Sequence, residues 1–509
     1  MATATGGDDR LTGTLNDDVI DGLAGNDIIY GRDGNDVLNG GTDVDRMYGG
    51  NGNDVYLVDD VLDRAIETST NTHAPGGRDL VKSSVTFTLG AYVEDILLTG
   101  SSEINAKGND LGNRLTGNNA ANLLDGRGGA DRMTGKDGSD TYIVDDARDT
   151  AVETNADRAT GGLDTVRSTV SFTLGANLES LTLSGAGAID GTGNDQGNVI
   201  TGNSGNNRLD GGAGKDSMRG GGGNDIYVVS DVGDRAVETS TVQGEIDKVE
   251  SSVSFTLGQN IENLTLTGTA AINGTGNDSA NVINGNASAN SLAGGGGADQ
   301  LDGRGGGDRL EGGTGNDVYI VRTSDDVVVE AAGDAQDAVG ALVAAYTLTD
   351  NVEVLAFAGT GDFEGTGNGL NNVIGGLAGN DTLHGMAGND VLVGGLGDDT
   401  LIGGVGFDNF YYAEASSQLD LIEDFVAGVD EIYLDIRVFT AFTTLGDISA
   451  AAFNTGSSAT EADDRVIYDP ETGILIYDVD GSESGAAITL ARLDTGLSLT
   501  NVDIQVVVI

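Results

Sequence analysis

Cysteine and tryptophan are absent from this 509-residue chain, and only 2 prolines and 2 histidines occur. Without cysteine there is no disulfide framework, no thiolate metal site and no cysteine nucleophile. His73 and His384 lie far apart and form no His-Glu-x-x-His pattern, so no zinc peptidase is expected. Basic residues are scarce: 25 Lys and Arg against 81 Asp and Glu leave a formal charge of −56. Such a surface repels nucleic acid and anionic lipid and attracts cations. No apolar run approaches the roughly 18 residues of a membrane helix, so membrane insertion is not expected. The opening Met1-Ala-Thr-Ala-Thr5-Gly6 lacks the basic and apolar segments of a cleaved signal peptide, and export would need another signal.

What abounds is glycine, 84 residues of it. Length alone predicts about three domains of roughly 150 residues, but internal periods override that estimate. Asp9, Asp18, Asp27, Asp36, Asp45 and Asp54 stand nine apart, each followed two residues later by an apolar or aromatic side chain: Leu11, Ile20, Ile29, Leu38, Met47, Tyr56. Glycines precede the acid at fixed offsets, as Gly22 and Gly25 before Asp27, Gly31 and Gly34 before Asp36, and Gly49, Gly50 and Gly52 before Asp54. The register returns as Asn113, Asn122, Asp131, Asp140; as Asn198, Asn207, Asp216, Asp225; as Asn281, Asn290, Asp299, Asp308, Asp317; and as Asn372, Asp381, Asp390, Asp399, Asp408. Disordered acidic chains do not keep an apolar residue in phase with an acid.

Between runs lie related inserts, typified by Ser168-Thr-Val170-Ser-Phe172-Thr-Leu174. Their alternation predicts strands with one buried face. The inserts keep an acid two residues before an apolar one (Asp79/Val81, Asp164/Val166, Glu179/Leu181, Glu262/Leu264), which reads as further solenoid turns with longer loops. Tyr56, Tyr142, Tyr227 and Tyr319 occupy the inward slot and are expected in the core, not on a sugar-binding platform.

The nonapeptide has a simple physical partition. Glycines let six residues turn sharply, and three residues form a strand with one inward side chain. A single such strand buries nothing, so the turns must stack. With two nonapeptides per coil, residues 18 apart lie above one another at about 4.8 Å. Their carboxylates then form repulsive columns, which an oxygen-seeking dication converts to attraction. Ca²⁺ accepts 6–8 oxygens, carbonyls included, whereas Mg²⁺ is smaller and keeps its waters.

The pattern Gly-Gly-x-Gly-x-Asp-x-apolar-x closely resembles the RTX (repeats-in-toxin, haemolysin-type) calcium-binding family over about residues 6 to 408. The resemblance implies an all-β, right-handed parallel β-roll with calcium between successive turns. It also implies ligation by the seventeen repeat aspartates named above, and by carbonyls of the glycines before them, Gly22, Gly25, Gly31, Gly34, Gly49, Gly50 and Gly52 among these. The seven asparagines replace acid by neutral amide and are expected to bind weakly or only to close their turns. Pairs 18 apart number about 14, and filling them with Ca²⁺ would add about +28.

Five blocks are expected within the roll, about 1–58, 59–144, 145–229, 230–321 and 322–408, followed by a β-rich capping region, 409–509. That last region, with Asp420-Leu-Ile-Glu-Asp424-Phe425 and the ending Asp503-Ile-Gln-Val-Val-Val-Ile509, resembles serralysin-type C-terminal regions. The resemblance implies an uncleaved signal read by type I secretion machinery, and hence an extracellular protein. No catalytic constellation stands apart from the repeats, so no enzyme is expected. The repeats start within ten residues of Met1 without a visible cap. An open parallel edge is a template for pairing, which leads to a secreted, self-associating protein of the cell surface. An adhesin for glycan or another cell is the alternative. A pore-forming toxin would need an apolar inserting region that the sequence lacks.

Overall fold

The computed structural model describes residues 4–68, 77–333, 335–415, 418–482, 485 and 487–508; Met1, His73 and Ile509 lie outside them. Two compact units divide the chain, Met1–Glu250 and Ser251–Ile509. Each is a parallel β-solenoid, as expected from the repeats. Among the described residues the one helical turn is Asn501–Asp503.

In the first unit successive nonapeptides form strands in alternate sheets. Arg10–Thr12, Ile28–Asp33, Arg46–Asn51 and Arg64–Ile66 make one sheet. Val19–Asp21, Val37–Asn39 and Val55–Val58 begin the other. Partners are 18 residues apart, Leu11 on Ile29 and Ile20 on Leu38, so two nonapeptides make one coil. The middle residue of each three-residue strand points inward. Leu11, Ile29, Met47 and Ala65 line one sheet and Ile20, Leu38, Tyr56 and Val81 the other, all buried. Each larger side chain of this stack contributes about 1.5–3 kcal/mol of burial.

The inserts continue the stack at variable coil length. Val55 pairs with Leu80, Leu80 with Asp95 and Asp95 with Arg114, after which Arg114 on Arg132 restores the step of 18. The second unit repeats this plan: Val318 pairs with Ala338, Ala338 with Val354 and Val354 with Val373. Among the described residues the strands stay in register through these changes of coil length.

Beyond Asp408 the second unit changes character. Asn409–Tyr412 pairs in parallel with Glu431–Asp435, which pairs in turn with Ile504–Val507. The short strand Gly446–Asp447 lies antiparallel to Ile504–Val507. In the other sheet, Asp420–Ile422 is followed by Ile488–Arg492, Ile474–Tyr477 and Val466–Asp469, the last three antiparallel to one another. Among its described residues the region is rich in β strands.

Candidate metal centre

The repeat acids form ladders. The backbone N–H of each donates to Oδ1 of the acid one coil on: Asp9 to Asp27 at 2.7 Å, Asp18 to Asp36 at 2.8 Å, Asp27 to Asp45 at 2.7 Å and Asp36 to Asp54 at 2.7 Å. Asp299 to Asp317, Asp381 to Asp399 and Asp390 to Asp408 repeat the bond at 2.8–2.9 Å. One carboxylate oxygen is thereby a structural acceptor, held by the same register that stacks the strands.

The other oxygen is left over. Oδ2 of Asp27, Asp36, Asp45, Asp54, Asp131, Asp140, Asp216, Asp225, Asp299, Asp308, Asp317, Asp381, Asp390 and Asp399 is buried with no hydrogen-bond partner. An orphaned carboxylate oxygen is strongly disfavoured unless a proton or a cation meets it. Burial pushes Asp45, Asp131 and Asp299 up to about 7, and Asp54, Asp216 and Asp381 up to about 6.

Glycine makes room for these oxygens. A Cβ on Gly22 would collide with Oδ2 of Asp27 and the carbonyl oxygen of Gly40 in the next coil. Gly31 faces Asp36 and the Gly49 carbonyl in the same way, whereas a Cβ on Gly49 would meet Oδ2 of Asp54, Glu67 and the Tyr56 hydroxyl. Gly25, Gly34, Gly50 and Gly52 serve the turn instead, with φ of 107°, 112°, 111° and 132°. The orphaned acid and the carbonyl of the coil above thus converge on a space that only glycine leaves open. A hard cation with oxygen ligands fits that donor set.

Not every acid in phase is orphaned. Asp9 Oδ2 accepts the amide and hydroxyl of Thr5, and Asp18 Oδ2 those of Thr14. Asp408 accepts the Asp390 amide on Oδ1 as the orphaned acids do, and its Oδ2 faces the gap left by Gly403. Asp63, Asp149, Asp234 and Asp326 end their columns, each with Oδ2 held by two amides three and four residues earlier, as Asp59 and Asp60 hold Asp63.

The asparagines satisfy themselves. Asn122 Oδ1 accepts the Asn118 amide at 2.9 Å, while its Nδ2 donates to the Ile104 carbonyl at 2.6 Å. Asn207 and Asn290 donate likewise to Ile189 and Ile272. Asn113, Asn198, Asn281 and Asn372 each donate to two carbonyls of the preceding coil, as Asn113 does to Val93 and Glu94. Their Oδ1 atoms face the same glycine gaps that the aspartate Oδ2 atoms face elsewhere, as Asn113 does at Gly108 and Asn122 at Gly117.

Sequence reading missed a second group of asparagines four residues earlier, Asn109, Asn118, Asn194, Asn203, Asn277, Asn286 and Asn368, which brace the coil before. It also missed Glu67, Glu153, Glu238 and Glu330. Their signal was present: each lies 13 residues after an aspartate of the Asp-x-Tyr motif. The four tyrosines are wholly buried, as expected, and their hydroxyls donate to those glutamates. His384 lies in the strand Thr382–His384 within a parallel ladder.

A family model for the RTX calcium-binding nonapeptide repeat matches residues 3–38, 24–56, 107–142, 192–227, 275–310, 302–328 and 366–410. These stretches coincide with the aspartate ladders. This chain is an RTX repeat protein. RTX repeats bind calcium, and the orphaned oxygens of this RTX roll form the donor set such an ion needs. The RTX match stops short of residues 411–508, and no curated protein matches the chain. Among the described residues no helix is long and apolar enough to cross a membrane.

Proposed function

We propose that the chain is a secreted structural protein that folds on meeting extracellular calcium and then associates with its own kind at the cell surface. The observation that carries the calcium step is the row of fourteen buried, partnerless aspartate oxygens. The ligands are those fourteen acids and the facing carbonyls, with Asp9, Asp18 and Asp408 closing the ends of the ladders. Extracellular calcium modules bind at roughly 10⁻⁴–10⁻³ M, well above cytosolic supply, so the chain is exported unfolded and folds outside. Residues 409–508 serve as cap and as the type I export signal, a reading supported by the resemblance of that region to serralysin-type C-terminal regions.

Self-association is supported by exposed strand edges. Among the described residues, Arg10–Thr12 and Val19–Asp21 each pair on one side only, and nearby Leu15 and Val19 are 65% and 75% exposed. An uncovered parallel edge recruits another strand. The role is mechanical and not catalytic, because the acids are engaged by the ladder. Sedimentation velocity with and without Ca²⁺ tests the reading. Calcium-dependent oligomers are expected; a calcium-loaded chain that stays monomeric at high concentration would overturn assembly and favour an adhesin.

A further inference from the structure

Four times along the chain, an acid of a nonapeptide run meets two carboxylates of the insert that follows. Asp54 with Glu67 and Asp79, Asp140 with Glu153 and Asp164, Asp225 with Glu238 and Asp247, and Asp317 with Glu330 and Asp337 each bring three oxygens within 4.8 Å of one another. All eight aspartates are buried.

The arrangement is built, not incidental. Tyr56, Tyr142, Tyr227 and Tyr319 direct their hydroxyl hydrogens to the glutamates, at 2.8 Å for Tyr227 and Glu238. The same hydroxyls accept the amides of Gly49, Gly135, Gly220 and Gly312 at 2.8–2.9 Å, so each glutamate is fixed in direction. Oδ2 of Asp54, Asp140, Asp225 and Asp317 has no donor, and these side chains are at most 1% exposed. A Cβ on any of the four glycines would strike both that oxygen and the tyrosine hydroxyl. Glycine therefore holds open a space onto which a partnerless carboxylate oxygen and a second, oriented carboxylate converge.

Oxygens bound to one Ca²⁺ at roughly 2.3–2.6 Å from it lie up to about 5 Å apart, which matches the spacing of the three carboxylates. An all-carboxylate set without nitrogen or sulfur suits Ca²⁺ or a lanthanide and not zinc or copper. We propose that these four places are a second class of calcium site, a three-carboxylate centre made jointly by a repeat run and its insert. The linker between glutamate and second aspartate shrinks from 11 residues to 10, 8 and 6 along the chain, yet the three acids always meet. The centre ties the two ends of a linker of variable length to the roll. The proposal rests on the calcium reading only for the identity of the ion.

The test is the metal content of the full chain after equilibration with Ca²⁺ and gel filtration, measured by plasma mass spectrometry. Tb³⁺ gives a second readout, because the tyrosine rings beside the centres sensitise its luminescence. The variant carrying Glu67→Gln, Glu153→Gln, Glu238→Gln and Glu330→Gln is expected to hold four fewer ions, to lose the emission sensitised there, and to keep calcium-dependent circular dichroism. Should it fail to regain β structure, Glu153→Gln alone is expected to remove one ion. An unchanged ion count and unchanged emission in a folded variant would overturn the junction centre while leaving the ladder sites standing. A parent chain that binds no calcium at all would overturn both.

Discussion

The backbone amide of Asp36 donates to Oδ1 of Asp54 at 2.7 Å, while Oδ2 of both residues stays buried without a donor. One side chain is thus both a staple between coils and a free ligand. The two duties cannot be separated, since the bond that fixes the register also aims the second oxygen. Removing the cation leaves like charges stacked one coil apart, and the fold bears the cost.

Chelation is therefore expected to unfold the roll. In EGTA at neutral pH the far-ultraviolet circular dichroism should lose its β signal, and about millimolar Ca²⁺ should restore it. A full β spectrum in EGTA would contradict the ladder as a calcium site.

The metal-free chain has a defined pH response. Burial raises Asp45, Asp131 and Asp140 from 3.8 to about 7 and Asp54 to about 6. Folded values above unfolded ones mean that the folded state binds more protons. The contribution of these groups to stability is full below about pH 4 and is lost as pH rises through about 6 to 7. In calcium-free buffer the far-ultraviolet β signal should be stronger at about pH 5 than at about pH 8, and calcium should flatten the difference. A β signal that grows with pH in calcium-free buffer would refute this.

Asn122→Asp exchanges a donor for an acceptor opposite the Ile104 carbonyl, which Nδ2 now meets at 2.6 Å. At low calcium, with the roll still folded, the change should cost about 1–3 kcal/mol, the penalty of an unsatisfied buried acceptor. Excess calcium should recover most of it by filling the new site. Urea midpoints at low and high calcium measure both effects, and equal losses in the two would show that no ion enters.

Gly22→Ala separates crowding from backbone strain, because Gly22 is not among the residues with positive φ. The added methyl would collide with Oδ2 of Asp27 and the Gly40 carbonyl. A loss of about 1–3 kcal/mol is expected, together with one calcium ion fewer. Calorimetric titration that returns the parent stoichiometry would show that this gap is not where the metal sits.

Much of this was legible because period and physics coincide. An acid every nine residues with an apolar residue two later, as at Asp27 and Ile29, fixes strand, inward face and coil length together. The ligand set was less legible. Asp45 and Asp63 look alike in sequence, each two residues before an inward side chain, yet Oδ2 of Asp63 is held by two local amides and that of Asp45 by nothing. Turn geometry at residues 59–63 makes that difference, and spacing alone does not reveal it. Glu67 escaped notice for a related reason: its partners Asp54 and Asp79 are distant along the chain and meet only when the coils stack.

The strand Ile504–Val507 takes the place beside Glu431–Asp435 that a next coil would occupy, and the two-residue strand Gly446–Asp447 flanks it. So short an outer strand offers little to a newcomer. A strand seeking to pair with Glu431–Asp435 on this side would have to evict residues 504–507 first.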